Sequence, residues 1–202
     1  MTFKDNPFWD INIIGLIGAP GAGKDTVADF LVEKGFAKFA VADEIKKGYY
    51  AESGYSEEQF KAARGTELEQ KIRDGLWKFS AEKCKEVENP THFMHLTLKA
   101  IGDSGVKRAV ISDVRTQMEC TYFTHFADAN LILVLRNYKE ELALDRIPGT
   151  KINLKDVIHH PKFWNTSNTL EETHTELEKF YEKVILGGVM DSDSSEKPPE
   201  RT

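Results

Sequence analysis

The stretch Gly18-Ala-Pro-Gly-Ala-Gly-Lys-Asp-Thr26 combines two things that a bound phosphate asks of a protein, convergent backbone N–H donors and a cation that can reach them. Glycines at Gly18, Gly21 and Gly23 let the backbone approach an anion without Cβ atoms in the way. Ala19 and Ala22 add little bulk. Lys24 supplies a compact charge for a terminal phosphate. The pattern G-x-x-x-x-G-K has this meaning when a strand leads into it and a helix leads out. The apolar run Ile11-Asn-Ile-Ile-Gly-Leu-Ile17 precedes it, and Val27, Phe30 and Leu31 follow at helical spacing. In that setting the new helix aims its unsatisfied amides and positive dipole end at the anion. The stretch reads as a cradle for a nucleoside triphosphate rather than as an ordinary glycine turn.

The position after the lysine departs from the common pattern. A hydroxyl residue that sits on Mg²⁺ is usual there, but this chain has Asp25, with Thr26 one place later. A carboxylate is a hard ligand suited to Mg²⁺, directly or through water, so Asp25 is a candidate metal ligand and Thr26 falls to the inner phosphates. Further along, Arg108-Ala-Val-Ile-Ser-Asp113 and Leu131-Ile-Leu-Val-Leu135 read as buried strands that end in charge, at Asp113 with Arg115 beyond it and at Arg136. Continuous β-branched and leucine runs indicate a parallel sheet covered on both faces, whose ligands sit beyond the carboxyl ends of the strands. One charge at a strand end is ordinarily a solvated loop residue. Lys24, Asp113, Arg115 and Arg136 converging on one edge make a phosphate site.

Between the second strand, Phe36–Ala40, and Arg108 the pattern is helical. One helix opens near Val41 with its cap expected at Asp43. Another carries Leu68, Ile72, Leu76 and Phe79 on one side, and a third starts with Pro90 at its first position and stops at Gly102. The chain therefore divides into a core over 11–40 and 103–190, a helical insertion over 41–102 of the kind that binds an acceptor, and a lid candidate over 136–150 that contains Arg146 and the Pro148-Gly149 turn. Phe163–Thr166 reads as a last short strand. It is followed by a capped helix start within Ser167–Glu172, with Leu177, Phe180, Tyr181, Val184 and Ile185 facing the core. Residues 191–202 carry four acids, two bases, two prolines and no apolar side chain, the composition of a disordered tail whose removal leaves activity intact.

Composition bounds the partners. A chain of 202 residues with 40% apolar and 30% charged residues suits one α/β domain with an insertion. No apolar stretch approaches the roughly 20 residues that span a bilayer, and a signal layout is absent from the first residues, so the reading is cytoplasmic. A net charge of −6 argues against polymeric nucleic acid, whose affinity comes from clustered Lys and Arg; small phosphorylated ligands need only a few local cations. Cys84 and Cys120 read as packed thiols, and His159-His160 lacks a third ligand at metal spacing. The oligomeric state is not readable, and a homodimer stays open.

Several pieces in order resemble the phage-type deoxynucleoside monophosphate kinases, a branch of the nucleoside monophosphate kinase-like P-loop enzymes. They are Gly23-Lys-Asp-Thr26, Ala42-Asp-Glu-Ile-Lys46, Gly65-Thr-Glu67, Ile111-Ser-Asp-Val-Arg115 with Glu119, the strand ending in Arg136, and Asn165-Thr-Ser-Asn-Thr-Leu-Glu-Glu172. The resemblance covers about Ile11 to Val184 and is most specific in the GKDT and DVR pieces. It implies a three-layer P-loop α/β fold with five parallel strands in the order 2-3-1-4-5, and transfer of phosphate from ATP to a (deoxy)nucleoside monophosphate with Mg²⁺. In a phage the site of action would be the host cytoplasm. By position, Lys24 would hold the β- and γ-phosphates, Asp113 would lie near Mg²⁺ or its waters, and Arg115 and Arg136 would contact the phosphates being joined. Lys46, Arg64 and Arg146 are acceptor-side candidates. The insertion and the lid match the family least. Kinases of phosphomevalonate or dephospho-coenzyme A, and an ATP-binding regulator without transfer, are the competing readings.

Overall fold

The computed structural model describes residues 10–136, 145–167 and 169–187. Five strands, β1 (Asn12–Ile17), β2 (Ala37–Phe39), β3 (Arg108–Val114), β4 (Asn130–Leu135) and β5 (Lys162–Trp164), form one parallel sheet in the order β2-β3-β1-β4-β5, with helices on both sides. β1 lies parallel to β3 and to β4, and β4 parallel to β5. The apolar runs explain the centre of this order. After their first residue, β1, β3 and β4 are buried at every position, which only strands covered on both faces can be.

The chain separates into two compact units, one of residues 1–38 and 106–202, the other of residues 39–105. In the first, α1 (Lys24–Glu33) buries Val27, Ala28, Phe30 and Leu31 and packs on β3. α6 (Gln117–Ala127) packs on β1 and β4. A short helix, α7 (Leu154–Val157), precedes β5. α8 (Leu170–Phe180) then passes into a π-helical turn over Tyr181–Leu186. Phe30 of α1 meets His174 and Tyr181 edge-on, which fixes α8 against α1. Leu177, Tyr181 and Val184 are buried, while Phe180 and Ile185 are half-buried.

The second unit holds α2 (Val41–Ser53), α3 (Glu57–Ala62), α4 (Glu67–Glu86) and α5 (His92–Asp103), with α2 against α4 and α5, and α4 against α3 and α5. Tyr49 stacks on Tyr55 and tilts against Phe79, which in turn tilts against Phe93. The largest fully buried side chains of this unit are aliphatic, Ile72, Leu98 and Ile101, and the half-buried rings of Tyr49, Tyr55 and Phe79 pack at the junction beside Phe93.

Boundaries differ from the sequence reading where side chains mislead. α2 starts at Val41, not after Asp43, because Ala40 is its uncapped N-cap. Pro90 lies outside α5. Asn89 Oδ1 accepts from the backbone N–H and hydroxyl of Thr91, the N-cap residue, and the helix runs past Gly102 to Asp103. Leu68, in the first turn of α4, is exposed, whereas Ile72 is fully buried. Cys84 and Cys120 are both free thiols, and burial pushes the Cys120 thiol up to about 12.

The candidate phosphate site

The loop between β1 and α1 sits at the carboxyl end of the sheet's central strand. Gly23 is the N-cap of α1 with φ 100° and no side-chain cap bond, and the uncapped amides that open a helix are the groups that can bind an anion. A left-handed backbone of this kind strains any residue with a Cβ. Gly18 has a different reason to be glycine, since a Cβ there would lie 2.5 Å from the carbonyl oxygen of Val134 on β4. Lys24 folds back over the loop and donates from Nζ to Gly18 O (2.8 Å) and Ala19 O (2.9 Å). Burial, and after it the charge of Arg115, pull its pKa below the ordinary lysine value; Asp25 and Asp113 work in the opposite direction.

A cavity of about 500 Å³ opens over this loop. Gly21, Gly23, Lys24, Asp25 and Thr26 form one side, and Asp113, Arg115 and Arg136 line it from the ends of β3 and β4. The four charges expected to meet at one sheet edge are therefore brought together. Asp113 is buried near the end of β3. Arg115 follows that strand, and its backbone N–H is held by Glu119 Oε2 (2.6 Å), the same carboxylate that closes the capping box of α6 through Thr116. Burial raises the Glu119 carboxyl, against the pull of its bond from Arg115 N–H. Arg136 donates from Nη1 to Gly21 O (3.1 Å).

Asp25 is drawn elsewhere. Its exposed carboxylate accepts from Lys38 Nζ (3.2 Å), which also binds Asp29 (2.9 Å). Burial opposes the charge on Lys38, but these hydrogen bonds outweigh it and raise its pKa. Asp25 is thus engaged by Lys38 at the surface, while Asp113 lines the same cavity from the buried end of β3. Among the described residues no group of three or more His, Cys, Asp or Glu is arranged to hold a metal ion by itself, His159 and His160 included.

Residues 137–144 of the lid candidate lie outside the described residues. The remainder, from Asp145, forms a hairpin in which Ile147 N–H donates to Ile152 O and Leu154 N–H to Asp145 O. Lys151 N–H ties this hairpin to Arg115 O (2.8 Å), and its turn packs so closely on the loop that a Cβ on Gly149 would lie 2.5 Å from Pro20 Cγ. Arg146 is exposed on it. Lys46 and Arg64 belong to the second unit, where Lys46 pairs with Asp43 at 3.1 Å and Arg64 is exposed.

The cavity's remaining wall is a group of residues that spacing did not single out: Asn165, Ser167, Thr169, Leu170 and Thr173, from the end of β5 into α8. Ser167 Oγ is buried without a protein hydrogen-bond partner. The eight-residue family-like stretch Asn165–Glu172 covered all of them but Thr173.

A scan against protein-family models finds no match, and neither does a search of curated proteins. Among solved structures, an unliganded sugar kinase from Janibacter sp. HTCC2649 matches over 85% of this chain and 93% of its own, with 13% sequence identity and a TM-score of 0.41. A likeness that remote carries no argument, and the fold rests on the strand order itself.

Proposed function

We propose that this chain is an ATP-dependent kinase that transfers phosphate to a (deoxy)nucleoside monophosphate. The observation that carries the reading is the single cavity in which a glycine loop at a helix N-terminus, Lys24, Asp113, Arg115 and Arg136 face one another. Phosphoryl transfer asks a protein mainly to align donor and acceptor and to neutralise oxygens as charge redistributes. An oxygen of the acceptor phosphate forms the new bond to the γ-phosphorus as the bond to the β-bridging oxygen breaks, and ADP leaves. A phosphate monoester is largely dianionic at neutral pH, so the acceptor is a competent nucleophile without a dedicated base.

In this reading the loop amides and Lys24 hold the β- and γ-phosphates. Arg115 and Arg136 span the phosphates being joined. Asp113 would hold Mg²⁺ directly or through water, and the ion would supply further charge neutralisation. Thr26 serves the inner phosphates, and Lys46, Arg64 and Arg146 serve the acceptor. The nucleotide acceptor rests on the resemblance to the phage-type enzymes.

An ADP-release assay with ATP, Mg²⁺ and each common dNMP and NMP tests the proposal, with phosphomevalonate and dephospho-coenzyme A as controls. Turnover with one or more dNMPs is expected. Turnover with a control alone reassigns the acceptor. Silence with every acceptor, while ATP still binds, favours a regulator and overturns the kinase.

A further inference from the structure

A loop that presents its N–H groups to an anion must place its carbonyls elsewhere, and each of those needs a donor. Here Lys24 takes the carbonyls of Gly18 and Ala19, the latter also bonded by Ala22 N–H at 3.2 Å, Arg136 takes Gly21, Val27 N–H takes Gly23, and Asn165 Nδ2 takes Ala22 at 3.0 Å. Two of the side-chain donors are cations that the proposed reaction assigns to phosphate. Lys24 cannot fully serve both its own loop and an incoming anion. Among the described residues, Asn165 is the uncharged side chain in this set, and nothing in the phosphate chemistry calls it away.

Its placement suits that duty. Asn165 N–H donates to Leu135 O (2.8 Å), which extends the β4–β5 ladder by one residue and fixes the backbone. Only the NH₂ end of the amide can face the Ala22 carbonyl, so Oδ1 points back toward α8. There it accepts from Thr173 Oγ1 at 3.4 Å, a long bond that the hydroxyl shares with the better-placed Thr169 O (2.9 Å). Thr173 is itself buried. Gly23 completes the fit, because a Cβ built on it would run into the Asn165 amide. The last glycine of the motif is thus matched to a side chain more than a hundred residues away.

We infer that Asn165 is a positioning residue for the phosphate loop, holding the Ala22 carbonyl away from the cradle so that the loop amides stay turned toward the anion. The inference rests on the proposed phosphotransfer reading for its ligand but not for its geometry.

The test compares Asn165→Ala and Thr173→Val with the full-length wild type, using calorimetry with ADP and with pyrophosphate, amide NMR of the ligand-free protein, and thermal melts. Asn165→Ala is expected to weaken ADP and pyrophosphate together, by about tenfold or about 1.4 kcal/mol. It should also shift the Gly21 and Gly23 amide signals without ligand, with little change in melting temperature. Thr173→Val, which keeps the amide but loosens its orientation, should move the same signals less. Weakening of ADP with pyrophosphate unchanged would place Asn165 against the nucleoside and overturn the inference. Unmoved loop amides would overturn it too, as would an affinity loss matched by an equal loss of global stability. Should Asn165→Ala fail to fold, unmoved loop amides in Thr173→Val decide against it. A wild type that binds neither ligand sinks the phosphotransfer reading, and the ligand-free spectra still judge Asn165.

Discussion

Lys24 sits where its charge is both costly and useful. Partial burial and the neighbouring Arg115 disfavour its protonated form, and the loop carbonyls of Gly18 and Ala19 give it partners while no phosphate is present. An anion in the cradle would reverse the balance, since a lysine charge is worth most where water is excluded and negative charge is building up. Lys24→Ala is therefore expected to lower kcat by at least about a hundredfold, by comparison with lost oxyanion donors, and to leave the thermal melt near that of the wild type. Turnover like the wild type's would remove the loop from the mechanism. Lys24, Asp113, Arg115 and Arg136 were legible because each directly follows a recognisable strand or glycine turn. Asn165 and Ser167 were not, beyond a weak match to a family stretch. Their meaning depends on β5 lying beside β4 and on α8 returning to the loop, which no local spacing encodes.

At the scale of elements, strong local chemistry was readable and weak local chemistry was not. The runs in β1, β3 and β4 announced buried parallel strands. α8 begins at the capping box of Thr169 with Glu172, inside the helix start read from Ser167–Glu172, whereas the box that opens α6, Thr116 with Glu119, was not read from the sequence. β2 and β5 are three residues each and came out too long in the sequence reading, because their ends are set by which neighbours they pair with. The α7–β5 connection carries a pH dependence of its own. Burial, then the charges of His159 and Lys162, push His160 down from 6.5 to about 4. Between those values the unfolded chain binds a proton that the folded chain refuses, so stability rises with pH across that window and is level above it. Urea unfolding of wild type and His160→Gln should therefore diverge as pH falls from about 6.5 to about 4, with the variant losing less stability. Because the site is only half-buried, solvent screens part of the penalty. Parallel curves would mean that the ring is solvated in the native state.

For the whole molecule, the net charge of −6 and a phosphate ligand are compatible because the positive charge is local. Lys24, Arg115 and Arg136 lie around one cavity of the first unit, while Lys46 and Arg64 belong to the second. If the first unit serves the donor and the second the acceptor, as the family resemblance implies, the two halves of the kinetics should be separable by mutation. Lys46 is engaged only in an exposed pair with Asp43 among its described ion pairs, and such pairs contribute about 0–1 kcal/mol, so Lys46→Ala costs little stability. Loss of one charged contact to an acceptor phosphate corresponds to about tenfold or more in binding. Lys46→Ala and Arg64→Ala are accordingly expected to raise the acceptor KM by about that factor, leaving ADP affinity by calorimetry as in the wild type. Uniform binding lost from one substrate shows in its KM and not in kcat. An initial-rate matrix in both substrates distinguishes this from a loss spread over both. Should neither variant change the acceptor KM, the acceptor phosphate is held by the first unit's own arginines, Arg115 and Arg146.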